Sequence, residues 1–289
     1  MHTMLGSSKL FKYVSGESHH TESIEQCYFY FSRVKQVNDP EDCKVNPSID
    51  LSNVTKDDII QFVLRYGVLQ IEAEILANKL LDNPSIAATY VQAYEASNKI
   101  EDERFRNTVK ILCLTDKPDD VHMWKEYARK NNPFDGYCIG YACIPVNSIR
   151  IINDHSCYRV PLLPDQIAIG HLKPDFHVAT QVFYGEATTI AYNPFKSNKE
   201  DLVNSYYYKR EMWSQEKEFR CVLDDTMTTA GAVQKIHYAP DLLASVIFGE
   251  HCPADIRKSV REAVKKSGSS LVTFHVARDS GGSVQIAEE

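Results

Sequence analysis

The alternation of apolar and polar residues along the chain predicts more strands than helices. Short runs rich in aromatic and β-branched residues, most of them bounded by polar, Gly or Pro residues, are typical of strands. They occur at 10–14, 27–32, 109–114, 135–142, 148–152, 158–161, 180–185, 218–223, 234–238, 244–249, 271–276 and 283–287.

Helical periodicity is concentrated in the first half of the chain. Apolar residues recur at helical spacing over about 55–83, after a Thr55-x-x-Asp58 sequence that resembles a capping box. Pro84 ends this helix and a second one follows over about 85–106. Further helices are predicted over 121–130, 203–213 and 255–267. This distribution favours an α+β fold over a doubly wound parallel sheet. We expect one domain over 1–289, with a helical insertion at about 55–106.

Composition narrows the protein class. The chain has 289 residues, 43% hydrophobic and 25% charged, which is typical of a globular protein with a sizeable core. Its net charge of −7 argues against general nucleic-acid binding. No run of about 20 apolar residues occurs, so we expect no membrane association.

The eight cysteines lack the Cys-x-x-Cys spacing of zinc sites, and several lie inside apolar runs. The first residues contain no apolar signal segment. We therefore expect reduced thiols in a cytoplasmic protein, and no metal site.

One segment combines two acidic side chains with a basic one. If 216–220 is a strand, Glu216, Glu218 and Arg220 share one face, and Phe219 lies on the other. Such a pair of carboxylates can hold a ligand hydroxyl and stabilise developing positive charge. A solvated strand face with a salt bridge has the same pattern, and spacing alone favours that simpler interpretation.

Other candidates are weaker when taken singly. Ser32 ends a strand, Asn38 and Asp39 precede a proline turn, and Trp124 and Tyr127 share a helix face. Each has a structural explanation, namely a turn cap, turn chemistry or core packing. The sequence has no Walker A loop, no Gly-x-Gly-x-x-Gly after a strand and no Gly-x-Ser-x-Gly elbow.

Taken in order, these segments resemble a bacterial family of unknown function, DUF 2971. The resemblance covers nearly the whole chain. It is carried by residues 10–13, 31–32, 38–41, 111–115, 123–128, 136–141, 181–184, 213–220 and 246–249.

That family is similar in layout to the ADP-ribosyltransferase-like fold, which implies a split β-sheet core and NAD as substrate. The resemblance implies that Lys12 holds the diphosphate or ribose, that Ser32 orients a strand or the ribose, and that Glu218, paired with Glu216, is catalytic. The remaining residues that it implies for cofactor binding are Tyr13, Asn38, Asp39, Trp124, Tyr127 and Arg220.

The resemblance therefore predicts an NAD-consuming enzyme that transfers ADP-ribose to an unknown macromolecular acceptor or hydrolyses NAD, as in a toxin or phage-defence effector. The alternative is a non-catalytic nucleotide-binding sensor module of a bacterial defence system. Two features keep the alternative open: Lys12 stands where those enzymes have Arg or His, and Arg220 can pair with Glu218. The sequence is also compatible with a homo-oligomer or with a complex with a partner protein.

Overall fold

The computed structural model describes residues 8–39, 41–43, 45–47, 51–65, 67–146, 156–168, 171–185, 190–193, 195–196, 206–228 and 233–289. Their contacts divide the chain into two compact units. The first comprises Met1–Arg33, Thr108–Tyr184 and Glu211–Glu289, and the second comprises Val34–Asn107 and Gly185–Arg210.

The described residues form a mixed α+β structure. The helices are α1 (Ser18–Glu25), α2 (Lys56–Leu64), α3 (Gln70–Asp82), α4 (Pro84–Thr108), α5 (Val121–Glu126) and α6 (Ala254–Ser267). The strands are β1 (Ser8–Val14), β2 (Tyr28–Tyr30), β3 (Ser32–Arg33), β4 (Val45–Pro47), β5 (Val109–Thr115), β6 (Tyr137–Val146), β7 (Cys157–Pro161), β8 (Phe176–Gln181), β9 (Phe183–Gly185), β10 (Ile190–Tyr192), β11 (Tyr208–Arg210), β12 (Glu218–Asp224), β13 (Lys235–His237), β14 (Leu243–Gly249), β15 (Thr273–Asp279) and β16 (Val284–Glu288).

The first unit is built on an antiparallel sheet that closes on itself. Its strands follow the order β1-β5-β12-β8-β7-β6, and β6 pairs again with β1. Alternate residues face one core: Leu112 and Leu114 on β5, and Phe219, Cys221 and Leu223 on β12. This is the alternation that the sequence predicted for β12.

Three strands extend this sheet from β6, in the order β14-β15-β16. The pair β14–β15 is parallel, and α6 connects the two strands. Val260, Ala263 and Val264 of α6 are buried in the main core, which explains the apolar stripe of this helix. The strand, helix and strand predicted from the sequence for this region are confirmed.

Helix α1 and the two-stranded sheet β2–β13 complete the parts of the first unit that bear on the site. Tyr30 pairs with Lys235 and Phe29 with Ile236. Phe29 and Ile236 are buried in the main core. Lys235 therefore lies on the same face of this small sheet as Tyr28 and Tyr30.

The second unit contains α2, α3 and most of α4. Its core includes Ile59, Phe62, Ala77, Leu80 and Phe195. The capping box at the start of α2 is confirmed: the Thr55 hydroxyl accepts from the Asp58 backbone N–H, and the Asp58 carboxylate accepts from the Thr55 backbone N–H. The long helix predicted over 55–83 is instead two helices, because Gly67 takes a left-handed conformation with φ of 77° between them.

Two further sequence expectations change, and a third is not tested. The polar stretch at 18–25, for which no helix was predicted, forms α1. The helix expected over 203–213 is wrong where the chain is described: β11 occupies Tyr208–Arg210, and a 3₁₀ helix occupies Glu211–Glu216. The strand expected at 148–152 lies outside the described residues.

All eight cysteines are free, and seven of them are buried, as expected for thiols that pack as small hydrophobes. Among the helices that the structure describes, none has the length and apolar character needed to cross a bilayer.

Candidate functional site

The first unit contains a cavity of about 400 Å³ with an apolar floor and a charged rim. Four elements supply its walls: β1, β6, α1 and the β2–β13 sheet. The lining residues are Lys12, Val14, His19, His20, Glu22, Ser23, Tyr28, Phe29, Tyr30, Ile139, Tyr141 and Lys235.

Lys12 lies on the same face of β1 as two side chains that are apolar and buried. It alternates on β1 with Leu10 and Val14, both of which belong to the main core, and it pairs with the buried Ile139. Among the described residues, no hydrogen-bond or ion-pair partner contacts its Nζ atom. Burial lowers the pKa of this amine, and the nearby Cys113 and Glu218 oppose the shift. The site therefore presents an amine whose donors are available to a ligand.

His20 lies close to Lys12 in the same cavity. Its ring lies 3.9 Å, centroid to centroid, from that of His19. Its Nδ1 atom is buried and has no hydrogen-bond partner within the described part of the chain. Burial, together with His19 and Lys12, lowers the pKa of His20 to about 3. The imidazole is therefore neutral at physiological pH.

The outer part of the cavity carries aromatic and charged groups. The Lys235 ammonium lies 4.5 Å from the centroid of the Tyr28 ring and 2.9 Å from Glu22 Oε1. Lys235 and Glu22 are 44% and 41% exposed, and Tyr30 is 39% exposed. The rim is therefore hydrated, whereas the floor, formed by Phe29, Ile139 and Tyr141, is almost fully buried. Such a cavity suits a flat ring that carries a polar or anionic group at one end.

Glu218 and Arg220 lie on the other face of the sheet from Lys12. Glu218 pairs with Thr115, and Thr115 pairs in turn with Phe11, whose side chain faces away from Lys12. Arg220 donates from Nε and Nη2 to the two Glu218 carboxylate oxygens, at 2.7 and 3.1 Å. Both side chains are buried. The carboxylate is thus neutralised by a forked arginine contact.

Glu216 does not share the strand face of Glu218. It ends the 3₁₀ helix, and Lys217 takes a φ of 46° before β12 begins, so the expected run of alternating residues is broken. Its Oε1 atom accepts a hydrogen bond from the Tyr127 hydroxyl. The structure therefore brings together Glu216 and Tyr127, and Glu216 does not continue the strand alternation of Glu218 and Arg220.

Trp124 and Tyr13 are held by contacts of their own. Trp124 is fully buried, stacks on Phe134 at 5.3 Å and donates from Nε1 to the Pro118 carbonyl oxygen. The Tyr13 hydroxyl donates to the Lys117 carbonyl oxygen at 2.7 Å. Trp124 thus packs as a core residue, and the hydroxyl of Tyr13 is already engaged.

Ser32 pairs with Ile111 on β5, four residues along that strand from Thr115, the partner of Glu218. Four residues of strand span about 13 Å, so Ser32 is not adjacent to Glu218. Asn38 and Asp39 belong to the second unit. Asp39 accepts two hydrogen bonds from the Arg210 guanidinium, at 3.1 and 2.9 Å.

Sequence reasoning identified Lys12 but missed its companions His20, Tyr28 and Lys235. One signal was present: alternate residues of the aromatic run 28–31 must face opposite sides of a strand, so two tyrosines lie away from the core.

Comparisons with known proteins assign no family to this arrangement. No family model matches the sequence, no curated protein matches it, and no solved structure matches the fold.

Proposed function

We propose that this protein binds a nucleotide in the cavity that contains Lys12. The observation that carries the proposal is the position of Lys12: an ionisable side chain, without a partner among the residues that the structure describes, on the core face of a strand and open to a cavity of about 400 Å³. Placing an amine among apolar residues costs free energy unless a polar group contacts it. A bound ligand supplies that contact.

The chemistry of the walls supports a nucleotide over other small molecules. Aromatic side chains, Tyr28 and Tyr30, provide faces for a base, and Lys235 provides positive charge for phosphate at the hydrated rim. This combination corresponds to the non-catalytic nucleotide-binding hypothesis from the sequence.

NAD consumption is the stronger form of the same proposal. Its support is the resemblance to DUF 2971 and, through it, to the ADP-ribosyltransferase-like fold with a split sheet. The geometry favours binding over turnover, because Glu218 is paired with Arg220 on the opposite face of the sheet from Lys12. ADP-ribose transfer to a macromolecular acceptor would need this ion pair to open.

Calorimetric titration of the full chain with AMP, GMP and NAD tests the binding proposal. We expect saturable binding that Lys12→Met weakens strongly. Lys9→Met is the matched control, because Lys9 lies on the same strand with an exposed side chain and does not line the cavity. Equal binding by wild type and Lys12→Met, or no binding of any nucleotide, would contradict the proposal.

Nicotinamide release from NAD tests turnover. Wild type and Glu218→Gln should be compared only after both are shown to be folded, since the substitution also disrupts an ion pair. Release by wild type that is lost in folded Glu218→Gln would favour an NAD-consuming enzyme. Binding of a nucleotide without release would favour the sensor.

A further inference from the structure

We infer that the ligand enters the cavity ring first and that Lys12 donates a hydrogen bond to an acceptor on that ring, which selects a purine with a carbonyl oxygen, such as guanine or hypoxanthine, over adenine. This inference rests on the proposed function and specifies the ligand class of the same site.

The orientation follows from where the cavity is dry and where it is wet. Phe29, Ile139 and Tyr141, at the floor, are at most 2% exposed. A phosphate placed there would lose its hydration, and Lys12 is the only cation among the lining residues on that floor. A neutral ring loses far less on burial and gains aromatic contacts. The phosphate then lies at the rim, near Lys235 and the exposed His19.

The electrostatics of the floor agree with this orientation. Burial lowers the pKa of both Lys12 and His20, so the inner cavity disfavours charge. The other titratable groups that line the cavity are His19 and Glu22 on α1, Tyr28 and Tyr30 on β2, Tyr141 on β6 and Lys235 on β13. Glu22 and Lys235 form a pair with each other at the rim. The floor is therefore suited to hydrogen bonding with an uncharged ring.

The selection among rings follows from donor and acceptor chemistry. A lysine ammonium has three donors and no acceptor, and a hydrogen bond to an acceptor favours this charged form. Guanine and hypoxanthine present two adjacent acceptors, O6 and N7, whereas adenine replaces the oxygen with an amino donor. Lys12 can donate to both acceptors of the first two bases, whereas on adenine it can donate only to N7 and lies beside an amino donor.

Calorimetric titration of the full chain with IMP, GMP and AMP tests the inference. We expect IMP and GMP to bind about tenfold more tightly than AMP, the discrimination expected of one well-placed donor. Lys12→Met should reduce this ratio to near one. Lys12→Gln should keep part of the preference, because its amide still donates. Lys235→Met should weaken all three nucleotides alike, since it acts at the phosphate.

Two results would overturn the inference while leaving nucleotide binding intact. One is AMP binding as tightly as IMP. The other is displacement of IMP by inorganic pyrophosphate from the Lys235→Met variant as readily as from wild type, which would place the phosphate at Lys12. If none of the three nucleotides binds, the proposed function itself fails, and the inference with it.

Discussion

The buried pair formed by Glu218 and Arg220 gives the sharpest prediction. Arg220 is 0% exposed and Glu218 3% exposed. The substitution Glu218→Gln preserves the shape of the side chain but removes the carboxylate charge that contacts the buried arginine. Breaking a buried pair on one side costs about 3–5 kcal/mol, and the remaining amide oxygen recovers about 1 kcal/mol as an acceptor. We therefore expect Glu218→Gln to lower the free energy of unfolding by about 3 kcal/mol.

Urea denaturation followed by tryptophan fluorescence measures this change in the relevant unit, because both tryptophans, Trp124 and Trp213, belong to the first unit. Glu25→Gln is the matched control. Its partner Lys266 lies 3.2 Å away, but both side chains are well exposed, at 42% and 61%. The control should change the free energy of unfolding by less than about 0.5 kcal/mol.

A double variant distinguishes the loss of the attraction between Glu218 and Arg220 from the cost of burying the arginine charge without the Glu218 carboxylate. In Glu218→Leu with Arg220→Met both charges of the pair are removed, so most of the stability lost in Glu218→Gln should return. If Glu218→Gln is as stable as the Glu25→Gln control, the reasoning is refuted. The ion pair would then make no net contribution to the free energy of unfolding.

Three other changes should be measurable by the same denaturation experiment. Lys12→Met should raise the free energy of unfolding by about 1 kcal/mol at pH 7. Because burial lowers the pKa of Lys12 in the folded state, the unfolded chain binds more protons, so this gain should shrink as the pH rises toward 10.5. Asp135→Asn should cost about 1–2 kcal/mol, because the carboxylate accepts backbone N–H groups from residues 130, 131 and 132 at 2.6–2.8 Å. Burial raises the Asp135 pKa, but the backbone donors lower it by more, so the folded-state pKa lies below the usual value. The stability lost in Asp135→Asn should therefore be full above about pH 4 and disappear as the pH falls through the folded-state pKa. A pH-independent difference would contradict this. Gly249→Ala should cost about 3 kcal/mol, since the new Cβ atom would lie 2.1 Å from the Phe134 carbonyl oxygen; unchanged stability would show that the backbone gives way.

Local patterns predicted the elements whose formation depends on neighbours in the sequence. The start of α2 followed from the Thr55 capping box, and β12 followed from alternation of Phe219, Cys221 and Leu223. Helix α1 was not predicted because its eight residues contain a single apolar side chain, Ile24, and one such residue gives no helical periodicity. Tertiary contacts, rather than local propensity, stabilise such a helix.

The helix predicted at 208–210 is wrong for a different reason: the local pattern fits two structures. Three consecutive tyrosines and nearby charges fit a helix as well as a strand, and burial in the fold decides between them. Tyr207 and Lys209 are buried while Tyr208 and Arg210 are less so, which is the period of a strand. The sequence contained the residues but not this burial.

The candidate site shows the same limit. Lys12 could be chosen from its place on the first strand, but His20, Tyr28 and Lys235 reach it only through the packing of α1 and β2–β13 against the large sheet. The sequence offers the Glu218–Arg220 contact as one interpretation of the acidic segment. It does not show that Glu216 leaves that strand face, because this depends on the left-handed backbone of Lys217.

The closed sheet also has a consequence for how the chain is made. Strand β1 is made before the other strands of the ring, β5 and β6 follow about a hundred residues later, and the ring cannot close until β12, which ends at residue 224, has been made. Until β5 and β6 have been made, β1 therefore has unpaired edges and an apolar face in contact with solvent. Contacts this distant in sequence slow folding and prolong exposure to aggregation. Slower translation or extra chaperone should increase the soluble yield of this protein more than stronger expression does.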